Sequence, residues 1–208
     1  MPKSISKTAK ESSLDKKLQT LIGDRTSGAA VIESNSITLF EEFIEIYREK
    51  SARQLQKAIK RIKDRFSAMA NMSNLAFFVE GKLHSDDLEN LMDSIRQYKI
   101  EIEENRRETV FRAARRVKAY GSIFTLSGSS MILEAILEAA NSGWKGKLRI
   151  IESRPGNEGT EFATKTARAG IKTVLGADMK LPEFIENSGA VFLGADAVTE
   201  TYFVNKIG

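Results

Sequence analysis

Apolar residues recur at spacings of three and four through the first part of the chain, then give way to short continuous runs. The first pattern predicts amphipathic helices and the second predicts buried strands. Helical periodicity begins near Ser13, with Leu14, Leu18, Leu21 and Ile22 on one face and Ser13 placed to cap it. Residues 1–10 are rich in lysine and serine and predict a disordered start. After Gly23-Asp-Arg25, a second helical stretch leads from Thr26 through Phe40, Phe43, Ile44 and Tyr47, with Ser34-Asn-Ser36 as a candidate break. Residues 51–72 predict a third helix. Leu55, Ile59, Ile62, Phe66 and Met69 form its apolar stripe, and Lys57, Lys60, Arg61, Lys63 and Arg65 its outer face. Ser73–Leu83 reads as apolar and then turn-like, and a long helix follows from about Asp86 to Ala119. No strand is expected in the first 120 residues.

The character changes at Tyr120-Gly121. Strands are predicted at 122–126, 147–151, 171–175 and 190–193, with helices at 131–140, 158–169 and 181–186 between them. This β-α-β-α-β-α-β alternation argues for a parallel sheet covered by helices. The fold class is therefore α/β: an all-helical domain over 1–119, followed by a Rossmann-like parallel-sheet domain over 120–208. Right-handed crossovers place the turn after each strand at one edge. Ser127–Ser130, Glu152–Arg154, Ala177-Asp178 and Asp196 should gather there. The end, Asn205-Lys-Ile-Gly208, reads like the opening of a loop with more sheet to follow. Either the C-terminus is shortened or the sheet is smaller than usual.

Composition narrows the chemistry. The chain has no cysteine and one histidine, His84. Disulfides, thiolate metal sites and a cysteine nucleophile are excluded, and a multi-histidine metal site is not expected. His84 sits in the polar run Lys82-Leu-His-Ser-Asp-Asp87 and reads as an exposed turn residue. No apolar stretch approaches the roughly 18–20 residues of a membrane span, and the start lacks a secretory apolar region. A cytoplasmic protein without membrane contact is expected. Residues 1–120 carry 23 Lys+Arg against 18 Asp+Glu, and residues 121–208 carry 9 against 10. The excess charge is therefore in the first half. Because basic and acidic residues are interleaved there, and no RNA-binding pattern accompanies them, solvated helix faces explain the charge and nucleic acid is not an expected partner.

The predicted sheet edge collects hydroxyls at Ser127, Ser129 and Ser130, a guanidinium at Arg154, a carboxylate at Asp196 and an ammonium at Lys206. A serine/glycine turn that opens a helix suits a phosphate, since free amides and the helix dipole both point at it. Arginine and lysine would add charge-assisted contacts. Neither Gly-x-x-x-x-Gly-Lys-Ser/Thr nor Gly-x-Gly-x-x-Gly occurs, so the turn is neither a P-loop nor a dinucleotide fingerprint.

Glu152-Ser-Arg-Pro155, Gly194-Ala-Asp196 and Asn205-Lys-Ile-Gly208 occur in this order after a strand, a Ser/Gly turn and a helix ending Ile136-Leu-Glu-Ala-Ala140. This set resembles the family of the alpha, beta and delta regulatory subunits of translation initiation factor 2B. That family also contains ribose-1,5-bisphosphate isomerase and methylthioribose-1-phosphate isomerase. The resemblance is specific over about 120–208 and looser before it, where Asp24-Arg-Thr-Ser-Gly-Ala-Ala30 is the short match. It implies a helical domain joined to a Rossmann-like domain.

The resemblance also implies a site. The isomerases use a cysteine in the turn after the first strand and an aspartate in Gly-Ala-Asp. Asp196 matches the aspartate, while the cysteine position falls on Ser127 or Gly128. Met131 stands where a basic residue often follows the turn serine. Ser27-Gly28-Ala29 stands in place of a phosphate-gripping Arg-Gly-Ala. Ser130, Arg154, Asn205 and Lys206 match. The implied ligand-binding set is Ser127, Gly128, Ser129, Ser130, Arg154, Asn205 and Lys206, with Asp196 catalytic if the protein is an isomerase, and with no metal or cofactor.

Two readings follow. The first is a non-catalytic regulatory-subunit-like protein that acts by homo-oligomerisation and by binding initiation factor 2 or another translation factor. In this reading a phosphorylated small molecule is a candidate ligand at the sheet edge. The second is an aldose–ketose isomerase on ribose 1,5-bisphosphate or a related pentose phosphate. It rests on Asp196, where regulatory subunits more often carry glutamate. A third reading, RNA binding through helix 51–72, ranks below both.

Overall fold

The computed structural model describes residues 7–25, 27–47, 51–85 and 88–205. Two compact units are present. One holds Met1–Ile102 with Asp196–Thr199, and the other holds Glu103–Ala195 with Glu200–Gly208.

The helical unit contains α1 (Lys7–Gly23), α2 (Ala29–Tyr47), α3 (Ser51–Arg65), α4 (Ala70–Ser85), the first part of α5 (Leu88–Lys118) and the two-residue strand β5 (Ala197–Val198). Its core holds the stripes predicted by spacing, Leu14 and Leu18 from α1, Phe40, Phe43 and Ile44 from α2, and Leu55, Ile59 and Ile62 from α3, together with Ile32 of α2. Met72, Leu75 and Val79 from α4 and Leu91 and Ile95 from α5 complete it.

Four expectations are corrected here. Helix α1 begins at Lys7, so residues 7–10 are helical and Ser13 lies inside the helix. Ser34-Asn-Ser36 does not break α2. The buried Ser36 hydroxyl donates to the Ile32 carbonyl one turn back at 2.8 Å, so its polar group is satisfied inside the helix. The stretch 51–72 divides, because the chain turns after Phe66 and restarts as α4, burying both Phe66 and Met72. Residues 73–83 are helical throughout, and the backbone of His84 lies in the last turn of α4.

A carboxyl group is buried in this apolar unit. Glu33 on α2 is 7% exposed. Its Oε2 accepts from Asn71 Nδ2 at 3.1 Å, and the same nitrogen donates to the Ala29 carbonyl at 3.0 Å. Burial pushes the Glu33 carboxyl above its ordinary range, and the Asn71 hydrogen bond opposes this. Tyr98 on α5 stacks on Phe78, with centroids 4.5 Å apart. Its phenol is pushed up to about 12, first by burial and then by the charge of Glu33.

The second unit is built on β1 (Ser122–Thr125), α6 (Ser130–Asn141), β2 (Lys147–Ile151), α7 (Glu158–Arg168), β3 (Lys172–Gly176), α8 (Leu181–Glu186) and β4 (Ala190–Val191), with the short β6 (Phe203–Val204) beyond. The sheet is parallel in all its pairings, in the order β3-β2-β1-β4. Ile123, Leu148 and Ile150 face a core shared with Ile136, Ala139, Phe162 and Val117. Phe124 and Ile151 meet Phe184 of α8 in a smaller cluster. Strand β1 is buried on both faces, as the inner strand of a parallel sheet should be.

Strand β4 is shorter than the predicted 190–193. Phe192 N–H still donates to the Phe124 carbonyl at 2.9 Å. Beyond it β1 has run out, because the chain turns at Ser127, whose φ is +64°. The ladder then has no partner to continue along.

Candidate functional site

In the order β3-β2-β1-β4 the connections run one way from β1 to β3 and return across β1 to β4. The strand order therefore reverses between β1 and β4, and ligands of such sheets bind at the carboxyl ends beside that reversal. The turn after β1 and the glycine after β4 meet there. A β-carbon at Gly194 would stand 2.7 Å from Ser129 Oγ. Only a residue without a side chain lets the two segments approach this closely.

The predicted residues of the turn take distinct places. Ser127 is buried, at 5% exposure. Its amide donates to Ser153 Oγ at 2.8 Å and its hydroxyl donates to Glu158 Oε2 at 2.7 Å. Gly128 is exposed, and a β-carbon there would lie 3.4 Å from the same Glu158 oxygen. Ser129 caps α6, its hydroxyl accepting from Ile132 N–H at 3.4 Å. Ser130 is the first residue of α6 and half-buried.

The second turn is equally constrained. Ser153 is fully buried and, with φ +62°, is a second non-glycine residue in the left-handed region. Asp178, in a 3₁₀ turn after β3, accepts from Ser153 N–H at 2.7 Å and from Arg154 N–H at 2.9 Å. The Arg154 side chain is exposed, and its Nε donates to Glu152 Oε2 at 2.9 Å. Ser127–Ser130, Glu152–Arg154 and Asp178 are thus joined through Ser127, Ser153 and Glu158, with two carboxylates supplying the acceptors.

Asn205 follows β6 and is half-buried, and Lys206 lies outside the described residues. Asp196 falls within the helical unit, and its backbone carbonyl accepts from Ala70 N–H, at the start of α4, at 2.9 Å. Among the described residues no cluster of three His, Asp or Glu side chains is arranged to hold a metal.

Glu158 is the residue that sequence reasoning missed. The signal for it was an acid at the first position of the helix that follows β2. Such a residue lies at the carboxyl edge of the sheet by construction, and negative charge is favoured at a helix start. Chemically, the edge offers hydroxyls and the amides of a capped helix start, but its two buried hydroxyls are already committed, Ser127 to the Glu158 carboxylate and Ser153 to the Ile151 carbonyl.

A helical unit, a Rossmann-like parallel sheet and a Ser/Gly turn at the strand reversal define the class of protein. The family to which the chain belongs is the Initiation factor 2 subunit family, whose model matches residues 25–208. The chain is 35% identical over 88 residues to translation initiation factor eIF2B subunit alpha of Caenorhabditis elegans, covering 42% of this chain and 29% of that protein. It is 28% identical over 141 residues to the ribose 1,5-bisphosphate isomerase of Archaeoglobus fulgidus, covering 58% of this chain and 45% of that enzyme. It thus spans less than half the length of these curated relatives. The solved Pyrococcus horikoshii translation initiation factor eIF-2B superposes with a TM-score of 0.80 at 22% identity, over 89% of this chain and 67% of that one. The tetrameric eIF2B-beta2-delta2 complex from C. thermophilum matches with a TM-score of 0.68 at 16% identity, over 91% of this chain and 68% of that chain. These likenesses establish the shared fold. Among the described residues no helix is long and apolar enough to cross a membrane.

Proposed function

We propose that this chain acts as a regulatory-subunit-like member of its family, without catalysis, by forming oligomers and binding a translation factor in the cytoplasm. We further propose that Ser127–Ser130, Arg154, Asn205 and Lys206 contact a phosphorylated small molecule, with residues 1–119 as the helical domain and 120–208 as the Rossmann-like one. The observation that carries this reading is the state of Ser127. Moving a proton between neighbouring carbons of a sugar phosphate needs an acceptor and donor of matched acidity above them. A serine hydroxyl is far less acidic than a thiol. Ser127 is also buried, and its hydroxyl donates a hydrogen bond to Glu158 Oε2. The chain holds no cysteine elsewhere to take its place. The relative named as an initiation factor subunit supports the same direction.

The isomerase reading is favoured by Asp196 within Gly194-Ala-Asp196 and by relatives named as ribose 1,5-bisphosphate isomerases. One set of measurements separates the two. Light scattering on the purified protein and a pull-down with initiation factor 2 are expected to show a defined oligomer that retains the factor. Incubation with ribose 1,5-bisphosphate is expected to leave the sugar unchanged. A monomer that binds neither the factor nor a phosphate metabolite overturns the regulatory reading. Ribulose product that disappears in Asp196→Asn establishes the enzyme instead.

A further inference from the structure

We propose that the outward face of α3, together with the exposed ring of Phe77 on α4, is a binding surface for single-stranded RNA. This goes beyond the function proposed above and does not depend on it.

Over the first half of the chain as a whole, basic and acidic residues alternate, which argues against a polyanion partner. The fold shows where that alternation lies. Along the middle of α5 two exposed arginines have acids one turn away, Arg107 with Glu103 at 3.5 Å and Arg112 with Glu108 at 2.6 Å, and the same helix carries the exposed Arg115 and Arg116 only in its last turn. On α7, Lys165 pairs with Glu161 at 2.7 Å in the same way. Helix α3 is built differently. Its fifteen residues hold six basic side chains and one acid, Asp64. Arg53, Lys57, Lys60 and Arg61 are all exposed, and among the described residues none has an acidic group within 4.0 Å. Asp64, which could reach Lys60 or Arg61 by spacing, pairs with neither.

Arg53, Lys57 and Arg61 follow one another at four-residue intervals. Like charges at that spacing repel each other and destabilise a helix. An uncompensated stripe of this kind is relieved when a polyanion neutralises it. From Arg53 to Arg61 the stripe is about 12 Å long at the rise of an α-helix, the reach of a few successive phosphates in one strand.

The second observation is aromatic. Phe77, on the neighbouring α4, is 65% exposed. The Lys63 ammonium lies 4.6 Å from its ring centroid and pairs with Glu80 at 3.2 Å. The ring therefore stands in solvent at the edge of the basic helix, against Lys63, which is one turn from Lys60. Single-strand binders combine these two elements: cations follow the backbone and an aromatic face stacks on a base. A purely anionic segment would satisfy the stripe and leave the ring in solvent.

Fluorescence anisotropy with a short fluorescein-labelled oligouridylate tests this on the whole chain. Affinity is expected to fall as salt rises, with a log–log slope of about −0.7 per phosphate neutralised, or about −3 for four contacts. The combined variant Lys57→Glu, Lys60→Glu, Arg61→Glu is expected to lose tenfold or more in affinity. Phe77→Ala is expected to weaken binding about fivefold or more by removing the stacking surface. Should the charge-reversed chain lose helicity by circular dichroism, Lys57→Gln and Lys60→Gln are each expected to reduce the slope by about 0.7. Three results overturn the proposal: no binding at low salt, variants that bind like the parent, or polyglutamate competing as well as unlabelled oligouridylate. The last would assign the face to an acidic protein.

Discussion

A β-carbon built on Gly159 would stand 1.8 Å from the carbonyl oxygen of Ile151. Helix α7 starts directly against the end of β2, and the Gly159 N–H donates to the Glu152 carbonyl at 3.1 Å. No rotamer can relieve a clash with backbone. Gly159→Ala is therefore expected to lower stability by about 2–3 kcal/mol, the cost of overpacking a close contact. The urea midpoint measures it, and an unchanged midpoint would show that α7 can shift without penalty.

Asp178 holds the second turn through two backbone amides, at Ser153 and Arg154. Hydrogen bonds to a charged acceptor are worth about 1.5–3 kcal/mol each, and the buried Ser153 N–H would have no acceptor left. We expect Asp178→Ala to cost about 2–3 kcal/mol and Asp178→Asn distinctly less, since one oxygen remains as an acceptor. Equal losses in the two variants, read from denaturation curves, would mean that the charge alone matters.

The buried Glu33 carboxyl makes stability depend on pH. Its folded value is raised above 4.5, so the folded chain holds this proton more tightly than the unfolded chain does. The resulting stabilisation is complete below pH 4.5 and is lost as pH rises through the folded value. Glu33→Gln removes this dependence. Its amide nitrogen also offers a donor to Asn71 Oδ1, which is buried without a hydrogen-bond partner. The variant is expected to be more stable than the parent by about 1 kcal/mol at neutral pH and to lose that advantage near pH 4. Parallel urea titrations at the two pH values decide the matter.

Tyr98 should ionise late. With the phenol at about 12 against an ordinary 10.0, its contribution to stability holds below pH 10 and is lost as pH climbs towards 12. Alkaline difference absorbance is expected to show a late step from Tyr98; the Tyr47 phenol is also raised, first by burial and then by the charges of Asp15 and Glu11. The Tyr98 step should vanish in Tyr98→Phe and move to lower pH in Glu33→Gln, where the neighbouring charge is gone. A single shared titration of all four would contradict the placement of Tyr98.

Much of the fold could be read from spacing, because the signals were local. Leu55, Ile59 and Ile62 mark α3 by period alone, and the runs 122–126 and 147–151 mark the inner strands. Helix α4 was missed although its signal was local. Met72, Leu75, Ala76 and Val79 repeat at helical spacing, but Gly81 and the polar residues after it mimic a turn. The division after Phe66 and the early end of β4 depend on tertiary partners, which a local pattern does not carry. The turns of the site were visible as Ser/Gly and Glu-Ser-Arg-Pro segments. Their wiring was not, because Glu158, Ser153 and Asp178 meet only once three separate strands have been laid side by side.

The chain's single tryptophan gives this architecture a practical use. Trp144 is 8% exposed in the core of the sheet unit, and its indole N–H donates to the Tyr120 carbonyl at 2.7 Å. No indole lies in the helical unit. Tryptophan emission therefore follows the loss of one core alone, while far-ultraviolet dichroism is weighted towards the helices of the other. The protein carries its own pair of optical channels. Overlaying the two unfolding curves reads directly whether its halves melt as one cooperative body or in succession.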